Sequence, residues 1–117
     1  PPRRTKPGVI RKRADFLKAR GGARANMPAF LLLKRKRSGA DPEIRIGLTV
    51  TKKLGGAVVR NRIRRRLRHA AREIAPVYGE PGCDYVLIAR GAAHKRQYSD
   101  LLDDLKRALL RLSRTPT

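Results

Sequence analysis

Arginine residues crowd one segment of this 117-residue chain, where seven of the thirteen residues from 60 to 72 are arginine. On a helix at about 100° per residue, one narrow apolar stripe forms, made of Val59, Ile63, Leu67, Ala70 and Ile74. Cationic and polar side chains lie opposite the stripe (Asn61, Arg65, Arg68, Arg72) and on its flanks (Arg62, Arg64, Arg66). A guanidinium group can bind two phosphate oxygens at once, and a polyanion relieves the repulsion among these cations. The pattern therefore predicts a helix that docks on RNA.

Two alternative interpretations of this helix that involve no RNA are a solvated charged face and a membrane-surface helix. The density of arginine disfavours the first, because such a face repels itself without a counter-charge. A membrane-surface helix needs a broad apolar face rich in Trp, Phe or Leu, whereas this stripe is narrow. RNA docking remains the favoured hypothesis.

The overall composition agrees with a polyanionic partner. The chain contains 30 Lys and Arg residues and nine Asp and Glu residues, which gives a formal net charge of +21. A chain of this length can bury the core of one domain. Its one cysteine, Cys83, excludes an internal disulfide and fits a reducing compartment. We interpret Cys83 as a small residue at the start of a strand.

No apolar run approaches the roughly 20 residues that span a bilayer. No signal-peptide core follows the basic N-terminus either. We therefore expect a cytoplasmic protein that has neither a membrane nor a small-molecule substrate as its partner.

The residues that usually perform catalysis form no constellation in this sequence. His69 and His94 have no partner at metal-ligand spacing, so neither is expected to bind metal. The acids Asp100, Asp103 and Asp104 are explained by charge balance at a helix N-terminus. We expect no catalytic residue, no metal site and no cofactor in the protein itself.

The apolar periodicity predicts an α+β fold in the order α-β-β-β-α-β-α. A small mixed four-stranded sheet carries three helices packed as a two-layer sandwich. A flexible basic arm is predicted over residues 1–8, a single RNA-binding domain over 9–114 and a tail over 115–117.

Local signals set the predicted element boundaries. A short helix over 12–20 ends at Gly21-Gly22. The apolar runs 29–34 and 44–51, joined by a turn, suggest an antiparallel hairpin, and the first run implies burial on both faces. Pro76 is predicted to end the Arg-rich helix, a further buried strand covers 85–90, and Ser99 is predicted to cap the last helix.

A groove beside the second long strand is a second candidate site. Phe16 is either a core residue or an exposed ring on which an unpaired base stacks. The polar face of the strand carries Arg45, Thr49 and Thr51, and Gly47 would let a nucleotide backbone approach closely. Lys52-Lys53 follows at the end of that face.

Two blocks of this sequence resemble the signature of the protein subunit of bacterial ribonuclease P. They are residues 45–53 (RIGLTVTKK) and residues 57–65 (AVVRNRIRR), with Asp15-Phe16 upstream and residues 84–90 (DYVLIAR) downstream. The resemblance covers roughly residues 9–112. Its specific part is the Arg-Asn-Arg block with its flanks, since an Arg-rich helix alone would not identify a family.

The resemblance implies a ribonucleoprotein that removes the 5′ leader of precursor tRNA by endonucleolytic hydrolysis. The catalytic core would be RNA working with Mg²⁺ that the RNA binds, and the protein would be an accessory subunit. A left-handed crossover from the third strand through the Arg-rich helix to the fourth is also implied. The implied contacts to the catalytic RNA come from Arg60, Asn61, Arg62, Arg64, Arg65, Arg68 and Arg72.

The resemblance also implies a cleft for the single-stranded leader between the first helix and the sheet. Phe16 matches a leader-facing aromatic. Two positions depart from the family, since Arg20 and Leu33 stand where aromatics are common, so leader contact is expected to depend more on charge. The predicted cleft residues are Phe16, Arg20, Arg45, Thr49, Thr51, Lys52 and Lys53.

Other classes of function also fit parts of the pattern. A structural ribosomal protein or a general RNA chaperone would have the same size and charge. A self-sufficient nuclease or toxin is disfavoured by the missing catalytic constellation.

Overall fold

The computed structural model describes residues 6–113, which form a mixed sheet carrying three α-helices. The strands are β1 (Gly8–Val9), β2 (Ala23–Asn26), β3 (Phe30–Lys36), β4 (Arg45–Thr49) and β5 (Cys83–Ala89). The α-helices are α1 (Arg13–Ala19), α2 (Ala57–Tyr78) and α3 (Tyr98–Ser113). Two short 3₁₀ helices cover Lys52–Leu54 and Gly91–His94. The predicted α+β class is confirmed.

The sheet has the strand order β1-β4-β5-β3-β2, which corrects the predicted hairpin. β5 lies between β3 and β4, antiparallel to the first and parallel to the second. The physical reason is burial, because β3 and β5 are apolar on both faces and belong in the centre of the sheet. β4 and β5 are therefore parallel neighbours joined through α2, as in the implied crossover unit.

Within residues 6–113 the sheet has five strands, where four were predicted. β1 precedes α1 and pairs in parallel with the start of β4, with Gly8 opposite Arg45. Gly8 is also the last residue of the predicted arm. Residues 1–5 of that arm and the predicted tail over 115–117 lie outside the described residues.

The main core lies between the sheet and the pair α2 and α3. Phe30, Leu32 and Leu87 point into it and are fully buried. The alternate residues of the same strands, including Leu33 and Val86, face the other side, where α1 packs. Burial of the first apolar run on both faces is thus confirmed.

Two helix boundaries differ from the prediction. α2 continues through Pro76 to Tyr78, because a proline in the last turn removes one helical hydrogen bond without preventing the next. The Gly79 N–H then donates to the Ala75 carbonyl over 2.8 Å. α3 begins at Tyr98, so Ser99 lies inside it and is not the cap.

Candidate nucleic-acid interface

The outer face of α2 presents three exposed arginines, Arg65, Arg68 and Arg72. None of the three has a hydrogen-bond or ion-pair partner among residues 6–113. The opposite face is fixed because Ile63 and Leu67 are buried in the main core. A row of unpaired guanidinium groups on a rigid helix is a surface that can bind phosphates.

The remaining predicted RNA-binding residues of α2 make light contacts with backbone or with each other. The Arg60 Nε donates to the Gly55 carbonyl over 3.0 Å, and the Arg64 Nη1 donates to the Asn61 Oδ1 over 3.0 Å. The Arg62 Nε lies 3.4 Å from the His94 carbonyl oxygen. Each of these arginines keeps further N–H groups for a ligand.

Arg66, on the flank of the same helix, stabilises the fold through hydrogen bonds that the sequence did not indicate. Its Nη1 donates to the carbonyls of Ala93 and His94 over 2.7 and 3.0 Å, and its Nη2 donates to the Arg96 carbonyl. Burial, followed by the charge of Arg62, lowers the pKa of Arg66. The side chain thus joins α2 to the loop before α3.

A cavity of about 270 Å³ lies beside Phe16 and is lined by residues 6–10, which include β1, and by residues 46–48 of β4. Arg64, Arg68 and Arg72 line its other side, so it combines an aromatic ring with three cations. The Phe16 ring also packs over Gly47, where an added Cβ would lie 2.7 Å from a ring carbon. The space at Gly47 is therefore filled by Phe16, which corrects the expectation that a nucleotide backbone approaches there.

A buried carboxylate organises the ends of β3, β4 and β5 on the α1 side of the sheet. Asp84 is fully buried and accepts from Arg45 Nε and Nη2 over 2.8 and 2.7 Å, and from Arg37 over 2.7 Å. Burial alone would raise the pKa of Asp84, but the hydrogen bonds from Arg45 and Arg37 lower it. Arg45, a predicted cleft residue, is thus also part of an internal ion pair. Asp15 on α1 lies 3.6 Å from Arg45.

The other predicted cleft residues do not line the Phe16 cavity as the structure describes it. Arg20 follows α1, where its N–H bonds back to the helix, and its side chain is exposed. Thr51, Lys52 and Lys53 are exposed beyond β4, and Thr49 is half-buried. A role for these residues in leader binding stays a prediction.

Cys83 is the first residue of β5 and is buried, as interpreted from the sequence. Burial raises the pKa of its thiol. Among the described residues, no group of three or more His, Cys, Asp or Glu side chains could hold a metal ion. No described helix is long and apolar enough to cross a membrane.

Fold and surface together define a class: an α+β protein with a mixed sheet, whose longest helix presents arginines that have no partner within residues 6–113. A sequence model of the family described as Ribonuclease P matches residues 5–113. The chain belongs to this family, whose members are protein components of a tRNA-processing ribonucleoprotein and partners of its RNA.

Relatives and solved structures agree with this assignment. The chain is 48% identical over 104 residues to the ribonuclease P protein component of Caulobacter vibrioides strain NA1000, covering 89% of this chain and 70% of the relative. It is 50% identical over 106 residues to that of Ruegeria pomeroyi, covering 89% and 85%. The ribonuclease P protein structure from Thermotoga maritima is 28% identical with a TM-score of 0.73, covering 93% and 98%.

Proposed function

We propose that α2 docks this chain on the catalytic RNA of ribonuclease P, and that the complex removes the 5′ leader of precursor tRNA. The observation that carries this proposal is the row Arg65, Arg68 and Arg72, which is exposed and has no partner in the described part of the chain. Bidentate guanidinium contacts to phosphates supply both affinity and orientation.

Hydrolysis in this proposal is performed by the RNA with Mg²⁺ that the RNA binds. The protein brings positive charge between two polyanions, the catalytic RNA and the substrate, and so reduces their repulsion. Family membership and the net charge of +21 support this division of labour.

The leader of the substrate is proposed to pass the cavity beside Phe16. An unpaired base can stack on an aromatic ring, while neighbouring cations bind its phosphate. Phe16 supplies the ring, and Arg64 and Arg68 supply the cations from the opposite wall. These two arginines also belong to α2, so one helix serves both the leader and the catalytic RNA.

Reconstitution tests the proposal. The protein is combined with the cognate catalytic RNA, and cleavage is measured on a precursor tRNA that has a leader of several nucleotides. We expect faster cleavage and tighter binding of precursor than of mature tRNA. If the protein changed neither the cleavage rate nor the affinity for the substrate, the proposed function would be wrong.

A further inference from the structure

The two flanks of α2 face two different cavities. Arg64, Arg68 and Arg72 line the one beside Phe16. A second cavity of about 270 Å³ lies on the other flank and is lined by Arg62, Arg65, Arg66, His69 and Tyr98. None of these five lining residues is acidic and three are arginines, so the second cavity suits an anion. Glu73 lines the adjoining cavity on the other side of His69 and Tyr98.

Tyr98 adds an aromatic ring to the cationic lining of the second cavity. It is the first residue of α3 and is half-buried, with one part packed against the main core and another lining the cavity. Beside it, Arg65 has no partner among residues 6–113, whereas Arg66 is already occupied by three backbone carbonyls. An aromatic ring next to a free guanidinium is the combination that binds an unpaired nucleotide.

We propose that this second cavity, lined by Arg62, Arg65, His69 and Tyr98, holds one unpaired nucleotide of the catalytic RNA. The base stacks on Tyr98, and Arg65 binds its phosphate. The catalytic RNA is favoured over the precursor tRNA because Phe16, the proposed leader contact, lines the cavity on the opposite flank of α2. This inference rests on the proposed function and adds a base contact to it.

The experiment compares two tyrosines by substitution. Tyr98→Leu removes the ring but keeps an apolar side chain, and Tyr98→Phe keeps the ring. Tyr78→Leu is the matched control, since Tyr78 is also half-buried against the main core but its ring is covered by Lys106 at 5.1 Å. Dissociation constants for the cognate catalytic RNA are measured by filter binding, and melting temperatures are measured in parallel.

We expect Tyr98→Leu to weaken binding of the catalytic RNA about tenfold, which is within the range for one stacked base. Tyr98→Phe and Tyr78→Leu are expected to stay within about twofold of the wild type. Equal affinities for Tyr98→Leu and the wild type would overturn the inference. So would an equal loss in Tyr78→Leu, because the effect would then follow stability.

Two further results separate the possible failures. If the wild type itself does not bind the catalytic RNA, the proposed function fails, and the inference fails with it. If Tyr98→Leu binds the catalytic RNA normally but its holoenzyme loses affinity for precursor tRNA alone, the cavity takes substrate, and only the inference is wrong.

If Tyr98→Leu fails to fold, ultraviolet cross-linking of the wild-type complex tests the inference instead. A nucleotide of the catalytic RNA attached to the peptide that carries Tyr98 supports the inference. Cross-links to peptides of α2 without one to the α3 peptide that carries Tyr98 overturn it.

Discussion

Asp84 has an unusual environment, because its carboxylate is fully buried among three arginines. Replacing it by asparagine leaves Arg37 and Arg45 without their counter-charge. We expect Asp84→Asn to lower the free energy of unfolding by about 3–5 kcal/mol, as for other broken buried ion pairs. Urea unfolding measures this. Asp103→Asn is the control, because Asp103 is exposed in its pair with Arg107.

The same carboxylate predicts the acid sensitivity of the fold. Its pKa is lowered below the unfolded value of about 3.9, because the arginine hydrogen bonds outweigh burial. Its stabilising effect is therefore complete above about pH 4 and is lost as the pH falls through the folded pKa. We expect the melting temperature of the wild type to fall more steeply below pH 4 than that of Asp84→Asn. Parallel curves would contradict this.

Phe16 allows the leader contact to be separated from packing. We expect Phe16→Ala to weaken holoenzyme binding of precursor tRNA by about 1–3 kcal/mol and to leave mature tRNA unaffected, because the stacked base belongs to the leader. Binding titrations with both RNAs measure this. Because Phe16 also packs over Gly47, the melting temperature must be followed as well. An equal loss for both RNAs together with lower stability would indicate a packing role alone.

The residue types predicted the exposed arginines of the candidate site, but they did not predict which side chains form ion pairs with each other. Seven arginines at helical spacing were enough to predict the exposed face of α2. The pairing of Arg45 with Asp84 could not be predicted, because the two residues are 39 positions apart and meet only where β4 lies beside β5. An Asp inside an apolar strand was the available signal, since a buried charge needs a partner.

At the scale of elements, α2 offers a matched pair of arginines with opposite roles. Arg66→Met removes the hydrogen bonds to the loop carbonyls, and we expect it to cost about 1–3 kcal/mol of stability. Arg68→Gln is expected to keep the stability, because Arg68 has no partner among the described residues. It is expected instead to reduce the salt slope of catalytic-RNA binding by about one.

Thermal melting and salt-dependent binding of both variants check this pair. If Arg66→Met also left the fold as stable as the wild type, its contacts to the loop would be unimportant. If Arg68→Gln left the salt slope unchanged, Arg68 would make no phosphate contact.

Strand identity was easier to predict from the sequence than strand pairing. The alternation in β4 and the apolar runs of β3 and β5 identified these three strands. The predicted pairing of β3 with β4 was wrong. A turn between two strands indicates a hairpin only when no later strand inserts between them, and here β5 does. The predicted order includes three strands before α2, but only two of them were located; β2 was not located because Ala23–Asn26 is short and contains no β-branched residue.

For the whole molecule, the dominant property is the net charge of +21. Mg²⁺ and protein cations both neutralise phosphates, so each reduces the need for the other. We expect the protein to stimulate cleavage most at low Mg²⁺ and progressively less as Mg²⁺ rises. Single-turnover cleavage across a Mg²⁺ titration, with and without protein, measures this. A stimulation that is independent of Mg²⁺ would contradict the charge argument.

The hydrogen bonds from Arg66 to Ala93, His94 and Arg96 have a consequence for association. They fix the loop before α3 against α2, and Arg96 is further bound to Asp104 in α3. The two helices and their connection therefore reach a partner as one preorganised unit. The loop between them therefore has less conformational entropy to lose on complex formation, so more of the contact energy appears as affinity.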